Sequence, residues 1–229
     1  MTKRFLVLTL CLLAPFSAQA VDGVIEINAD CATFGCFSGD SPGYPVTIAF
    51  PGSFRLTSDL TTGSVNTTLI VVNSDPVSID LNGFSLIGPV TCSGASLSCS
   101  GSGSGDGIDA GNEANVVIRN GTVRGMGDNG IRVCRGARLE NLTVAENGDL
   151  GIEALCPGSR LTNLVVRENA DDGVALGFGS SYLTDSTVYN NGDQGVFGGY
   201  CGNVLMSGNV SNSCTAIAPN RCGTASGCD

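Results

Sequence analysis

The chain has no histidine and no tryptophan, and its only lysine is Lys3. Without histidine there is no Ser-His-Asp triad and none of the imidazole ligand sets on which most metalloenzymes depend. No two cysteines stand in Cys-x-x-Cys spacing, which argues against a zinc site as well. Basic residues are scarce, 11 against 21 acidic, so the surface repels nucleic acid and anionic lipid. Long apolar runs are also few. The longest, residues 5–14, is too short to span a bilayer.

That run has a different meaning. Lys3 and Arg4 precede it and Ala18-Gln19-Ala20 follow it, the basic start, apolar core and small-residue site of a cleaved signal peptide over residues 1–20. Cys11 lacks the small residue before it that a lipid-anchored export signal needs. The expected product is therefore soluble, begins at Val21 and is extracellular or periplasmic. Loss of Lys3 and Arg4 leaves 9 basic against 21 acidic residues, a net charge of −12. Such a surface also repels an acidic polysaccharide unless a cation bridges the two.

What the chain does have is a repeat. Gly-apolar pairs occur at Gly107-Ile108, Gly130-Ile131, Gly151-Ile152, Gly173-Val174 and Gly195-Val196, in steps of 23, 21, 22 and 22. Ile118, Leu139, Leu161, Leu183 and Leu205 form a second column, and Val123, Val144, Val166, Val188 and Val210 a third. A fixed period in this range marks a solenoid whose repeats bury their apolar faces only by stacking. Each repeat holds three short segments, as in residues 130–133, 138–142 and 143–146, without the i, i+3, i+4 pattern of helices. The reading is all-β: a single-stranded right-handed parallel β-helix with coils of about 22 residues.

The segments Pro51-Gly52-Ser53-Phe54-Arg55-Leu56, Ile79-Asp80-Leu81-Asn82-Gly83-Phe84 and Ile118-Arg119-Asn120-Gly121-Thr122-Val123, with the later Glu-Asn-Gly-Asp turns, carry a resemblance. Over roughly residues 44–213 the chain resembles the right-handed parallel β-helix (pectate-lyase-like) superfamily, and within it secreted bacterial members of unassigned function. The resemblance is specific for fold and poor for function. It implies, for lyase-like relatives, calcium, carboxylates and an arginine acting as base. The Gly-His-Gly of polygalacturonase-like members is missing, so Asp171-Asp172 reads as a turn rather than as their paired aspartates.

Around the repeat, residues 21–45 read as an N-terminal cap, 46–213 as the β-helix and 214–229 as a cysteine-rich C-terminal cap. Residues 89–104 are an insertion, expected as a Ser/Gly loop projecting from one coil and pinched by Cys92 and Cys99. Ten cysteines remain after the leader, an even number in an exported chain. Cys134 and Cys156 differ by one coil and should staple neighbours, since stacked strands lie about 4.8 Å apart. Cys31 with Cys36 and Cys92 with Cys99 are local pairs. Cys201, Cys214, Cys222 and Cys228 pair among themselves in an order left open. Asn120, Asn141, Asn163, Asp185 and Ser207 share one polar column, and Asn147, Asn169 and Asn191 another; both read as structural ladders. Asn66, Asn120, Asn141 and Asn209 fit the glycan sequon, two of them inside a ladder.

Two outward columns are candidate sites. Asp109, Arg132 and Glu153 each follow a Gly-apolar pair and should share one face. An arginine between carboxylates either holds an acidic sugar or is a surface ion ladder worth under about 1 kcal/mol per pair. Asp106, Asp128, Asp149, Asp171 and Asp193 form the other column, and the last four are the candidate calcium ligands. Stacked about 5 Å apart, such carboxylates repel by about 0.8 kcal/mol per pair even in water. Bonds to turn amides or a shared cation would relieve this. The function expected is a carbohydrate-binding or surface-associated module without a readable catalytic centre. Calcium-assisted polysaccharide lysis from the Asp109–Arg132–Glu153 face is one alternative, and a structural or adhesive role another.

Overall fold

The computed structural model describes residues 23–94, 96–177, 180–216 and 221–222, with side chains through 215. The leader assigned to residues 1–20 lies outside them. A twelve-stranded sheet and a seven-stranded sheet, parallel throughout, wind into a solenoid. The short sheet takes one strand per coil, from Val46–Ile48 to Val196–Phe197, and so counts seven coils. Each regular coil then turns into an eight-residue strand of the long sheet, as at Arg138–Ala145, Arg160–Arg167 and Tyr182–Tyr189. The one helix among the described residues, Ala29–Phe34, is capped by the Asn28 side chain. Beside it, Val24–Ile27 already pairs with Gly52–Leu56, so the long sheet begins inside the stretch assigned to the cap.

Alternation explains the interior. Ile108, Ile131, Ile152, Val174 and Val196 are fully buried, as are Ile118, Val123, Val144, Val166 and Val188. Every glycine before the short sheet sits where a side chain has no room. A Cβ on Gly151 would lie 2.5 Å from Gly173 O and 2.8 Å from Val166 Cγ1.

Two corners are held by amide ladders. Asn147, Asn169 and Asn191 each donate Nδ2 to the Oδ1 of the next coil's asparagine, at 2.8, 2.9 and 3.0 Å. All three side chains are buried, and each Oδ1 acceptor also takes the backbone N–H of its neighbour. At the exposed corner that bends the eight-residue strands, Asn120, Asn141, Asn163 and Asp185 adopt positive φ between 51° and 62°. Asn141 donates to Asn120 at 3.1 Å and Asn163 to Asn141 at 2.7 Å. Asparagine and aspartate tolerate this conformation better than other side chains.

The last coil departs from the expected period. Leu183 pairs with Cys201 and Val188 with Met206, a step of 18 rather than 22. Cys201 and Met206 therefore fill the interior, while Leu205 is 44% and Val210 67% exposed. Asn203, not Ser207, continues the outer ladder by donating to Asp185 at 2.7 Å, and Asn209 joins the buried one. The cause is a shortened turn: Gly198 and Gly199, at φ 72° and 63°, pass from Val196–Phe197 to Tyr200 with two residues between. Glycine alone adopts two such angles in succession at little cost.

The insertion also differs from expectation. It carries a short antiparallel hairpin, Cys92–Ser93 with Ser98–Cys99, and lies against the solenoid instead of projecting. Val90 and Cys92 are buried, and Gly103 N–H donates to Gly127 O at 2.6 Å. Beyond the hairpin a cleft of about 420 Å³ runs between Leu97 and the turns at Ala170, Gly192 and Gly208. Disulfides join Cys31–Cys36, Cys92–Cys99, Cys134–Cys156 and Cys201–Cys214. The side chains of Cys222 and Cys228 lie outside the described residues.

Candidate functional site

On the outer face of the short sheet, Asp109 pairs in register with Arg132, and Arg132 with Glu153. Arg132 Nε stands 3.4 Å from Glu153 Oε2. Asp109 instead accepts the Gly111 N–H at 3.0 Å, so its carboxylate closes a local turn. Glu153, and more weakly Asp109 and Asp106, hold the Arg132 guanidinium even more firmly protonated than usual, against a partial burial that works the other way. The column ends in Ala175 and Phe197.

The acidic corner lies next to this face. Asp149 donates its N–H to Asp128 O, Asp171 to Asp149 O and Asp193 to Asp171 O, each at 3.2 Å, so these four stack as expected. Asp106 lies one residue out of register with them: Asp128 N–H reaches Gly105 O, because the first regular coil is one residue longer. Asp106 aligns with Asn129 instead, whose N–H and Nδ2 both donate to its Oδ1, at 3.0 and 3.1 Å. Burial, with repulsion from Asp128, pushes the Asp106 carboxyl up to about 7. Asp128 and Asp149 are hydrogen-bonded to each other, and burial raises both. Asp171 and Asp193 come together with Asp172, their carboxylate oxygens within 4.8 Å of one another. Asp172 also accepts the Gln194 N–H at 2.8 Å, and burial lifts it to about 6. The corner can thus take up protons near neutral pH, and its oxygen-only trio suits a hard cation.

The outer face of the long sheet carries a third arrangement. Arg138, Arg160, Tyr182 and Tyr200 follow one another in register across four coils. Two residues along each strand, Glu140, Thr162 and Thr184 form the parallel column. The Tyr182 and Tyr200 rings stack at 5.3 Å with 22° between their planes, and the Arg160 guanidinium sits 5.6 Å from the other end of that stack. Thr184 donates its hydroxyl to Thr162 at 3.1 Å. Between the columns runs an open cleft of about 660 Å³ lined by Arg138, Glu140, Arg160, Thr162, Tyr182 and Thr184. It offers charged donors, a carboxylate acceptor and hydroxyls.

A family profile described as the right handed beta helix region matches residues 97–228, more than half of the chain. The chain belongs to the right-handed β-helix family. No curated protein and no solved structure matches it. In this β-helix the two columns on and beside the short sheet follow from the 22-residue step, whereas the cleft on the long sheet becomes visible only in the fold. Its signal was present, since Arg138, Arg160 and Tyr182 share the 22-residue step. The shortened last coil hid Tyr200, which stands 18 residues after Tyr182.

Proposed function

We propose that this β-helix is an exported carbohydrate-binding module that holds a linear polysaccharide along the outer face of its long sheet. The supporting observation is the cleft between the Arg138–Arg160–Tyr182 and Glu140–Thr162–Thr184 columns. A sugar chain is a row of repeating units rich in hydroxyls, each both donor and acceptor. The cleft is a row of donors and acceptors repeated from coil to coil, with neighbouring backbones 4.8 Å apart where Cys134 and Cys156 mark the spacing. The four disulfides among the described residues fit an oxidising, extracellular or periplasmic setting. No helix among the described residues is long and apolar enough to cross a membrane.

The lyase alternative draws less support. An arginine base must be able to give up a proton, and the carboxylates around Arg132 oppose that. Affinity electrophoresis through gels containing pectate, alginate, xylan or dextran tests the binding reading. Retardation by at least one gel, lost in Thr162→Ala/Tyr182→Ala, is the expected result; free migration through every gel refutes it. Growth of unsaturated-sugar absorbance with pectate or alginate and Ca²⁺, abolished in Arg132→Ala, would restore the lyase.

A further inference from the structure

Within the proposed cleft one feature is costly unless a ligand uses it. Arg138 and Arg160 lie directly opposite each other on adjacent strands, and like charges so placed destabilise a sheet. Four arginines elsewhere are paired, Arg55 with Glu26, Arg119 with Asp80, Arg132 with Glu153, and Arg167 with Glu146 and Glu168. Arg124 and Arg135 are not, but Arg124 lies between Ile87 and Ala145 and Arg135 in a turn, so neither faces another arginine across the sheet. Arg138 and Arg160 form no ion pair among the described residues, although acidic groups outnumber basic ones 21 to 11 in the chain. Glu140, the carboxylate of the same cleft, lies opposite Arg119 on one side and Thr162 on the other. Arg160 is further oriented by the Tyr182 ring, which Tyr200 backs.

Resting on the carbohydrate-binding reading, we infer that the glycan is anionic, and that the Arg138 and Arg160 guanidiniums together grip one acid group of it. Two planar donor forks one strand apart can share the oxygens of a single carboxylate or sulfate. The chain then runs lengthwise along the solenoid, and the next sugar presents its hydroxyls to Thr162 and Thr184. An oxyanion between the guanidiniums removes the like-charge conflict that the free protein carries. Contact is direct, through guanidinium, and needs no bridging cation.

Isothermal titration in EDTA tests this, using polygalacturonate and alginate as uronates, chondroitin sulfate as the sulfated arm, and dextran and cellohexaose as neutral chains. Expected is binding of at least one anionic glycan, with neutral chains at least about tenfold weaker and affinity falling as salt rises. Which arm binds tells carboxylate from sulfate. Arg138→Gln and Arg160→Gln should each cost about tenfold, whereas Arg135→Gln, at an exposed turn arginine that does not line the cleft, should leave affinity unchanged. Melting curves check that each variant is folded. Equal binding of neutral and anionic chains overturns the inference and leaves the carbohydrate-binding reading standing. So does binding that requires Ca²⁺, or an equal loss in Arg135→Gln. No binding of any glycan, in EDTA or in a repeat titration with Ca²⁺, overturns both.

Discussion

Asn169 shows how a single side chain serves two coils. Its Oδ1 accepts the backbone N–H and the Nδ2 of Asn147, while its own N–H and Nδ2 donate to Asn191. Asn169→Ala keeps the backbone bond to Asn191 but removes the three made by the side chain and strands the buried N–H and Nδ2 of Asn147, so chemical denaturation should show a loss of about 2–4 kcal/mol. Asp106 carries a prediction of opposite character. Its carboxyl is raised from 3.8 to about 7 by burial and by Asp128, so between those values the folded state binds more protons than the unfolded one. Stability should therefore be greatest near pH 4 and decline as pH rises to about 7, by an amount on the order of 2–4 kcal/mol. Asp106→Asn keeps an oxygen for the two Asn129 bonds and removes the charge. Thermal melts from pH 4 to 8 should be flatter in this variant than in the parent. A parent whose melting temperature rises across that range contradicts the assignment.

At the level of strands and turns, the repeat could be read from the sequence wherever each coil had the same number of residues. Ile131, Ile152 and Val174 needed no further information, because each short strand is followed by a turn of four or five residues and an eight-residue strand. Leu205 and Val210 misled for a definite reason. They keep the 22-residue step, yet the Gly198-Gly199 turn removes four residues and places Cys201 and Met206 on the inside instead. Asp106 was misplaced by a single extra residue in its coil. The position of the insertion was also beyond reach, since nothing in a run of serine and glycine says which surface it will lie on. Two variants probe this level. Gly199→Ala puts a methyl 2.6 Å from Leu176 Cβ at φ 63° and should destabilise the last coil by about 1–3 kcal/mol. Replacing Cys134 and Cys156 by serine opens a loop of 22 residues and should cost about 3 kcal/mol in denaturation, with no change in the circular dichroism of the folded state.

For the whole molecule, the interior and the exterior of the coil answer different questions. The interior is a stack of aliphatic columns and amide ladders that explains why the chain folds, and it says nothing about a ligand. Outside, three faces differ in character. The short sheet carries a column with one ion pair that ends in Ala175 and Phe197, the neighbouring corner gathers carboxylates, and the long sheet sets two arginines opposite each other with no ion pair to either among the described residues. Only the last pairs a like-charge conflict with a cleft whose donors and acceptors repeat from coil to coil, which is why the ligand surface is assigned there. Hydrogen exchange read by mass spectrometry, with and without a bound anionic polysaccharide, tests that assignment most directly. The account predicts added protection within Arg138–Ala145, Arg160–Arg167 and Tyr182–Tyr189, and none at Ile108–Ala110, Ile131–Val133 or Ile152–Ala154. Protection confined to those three short-sheet strands would contradict it.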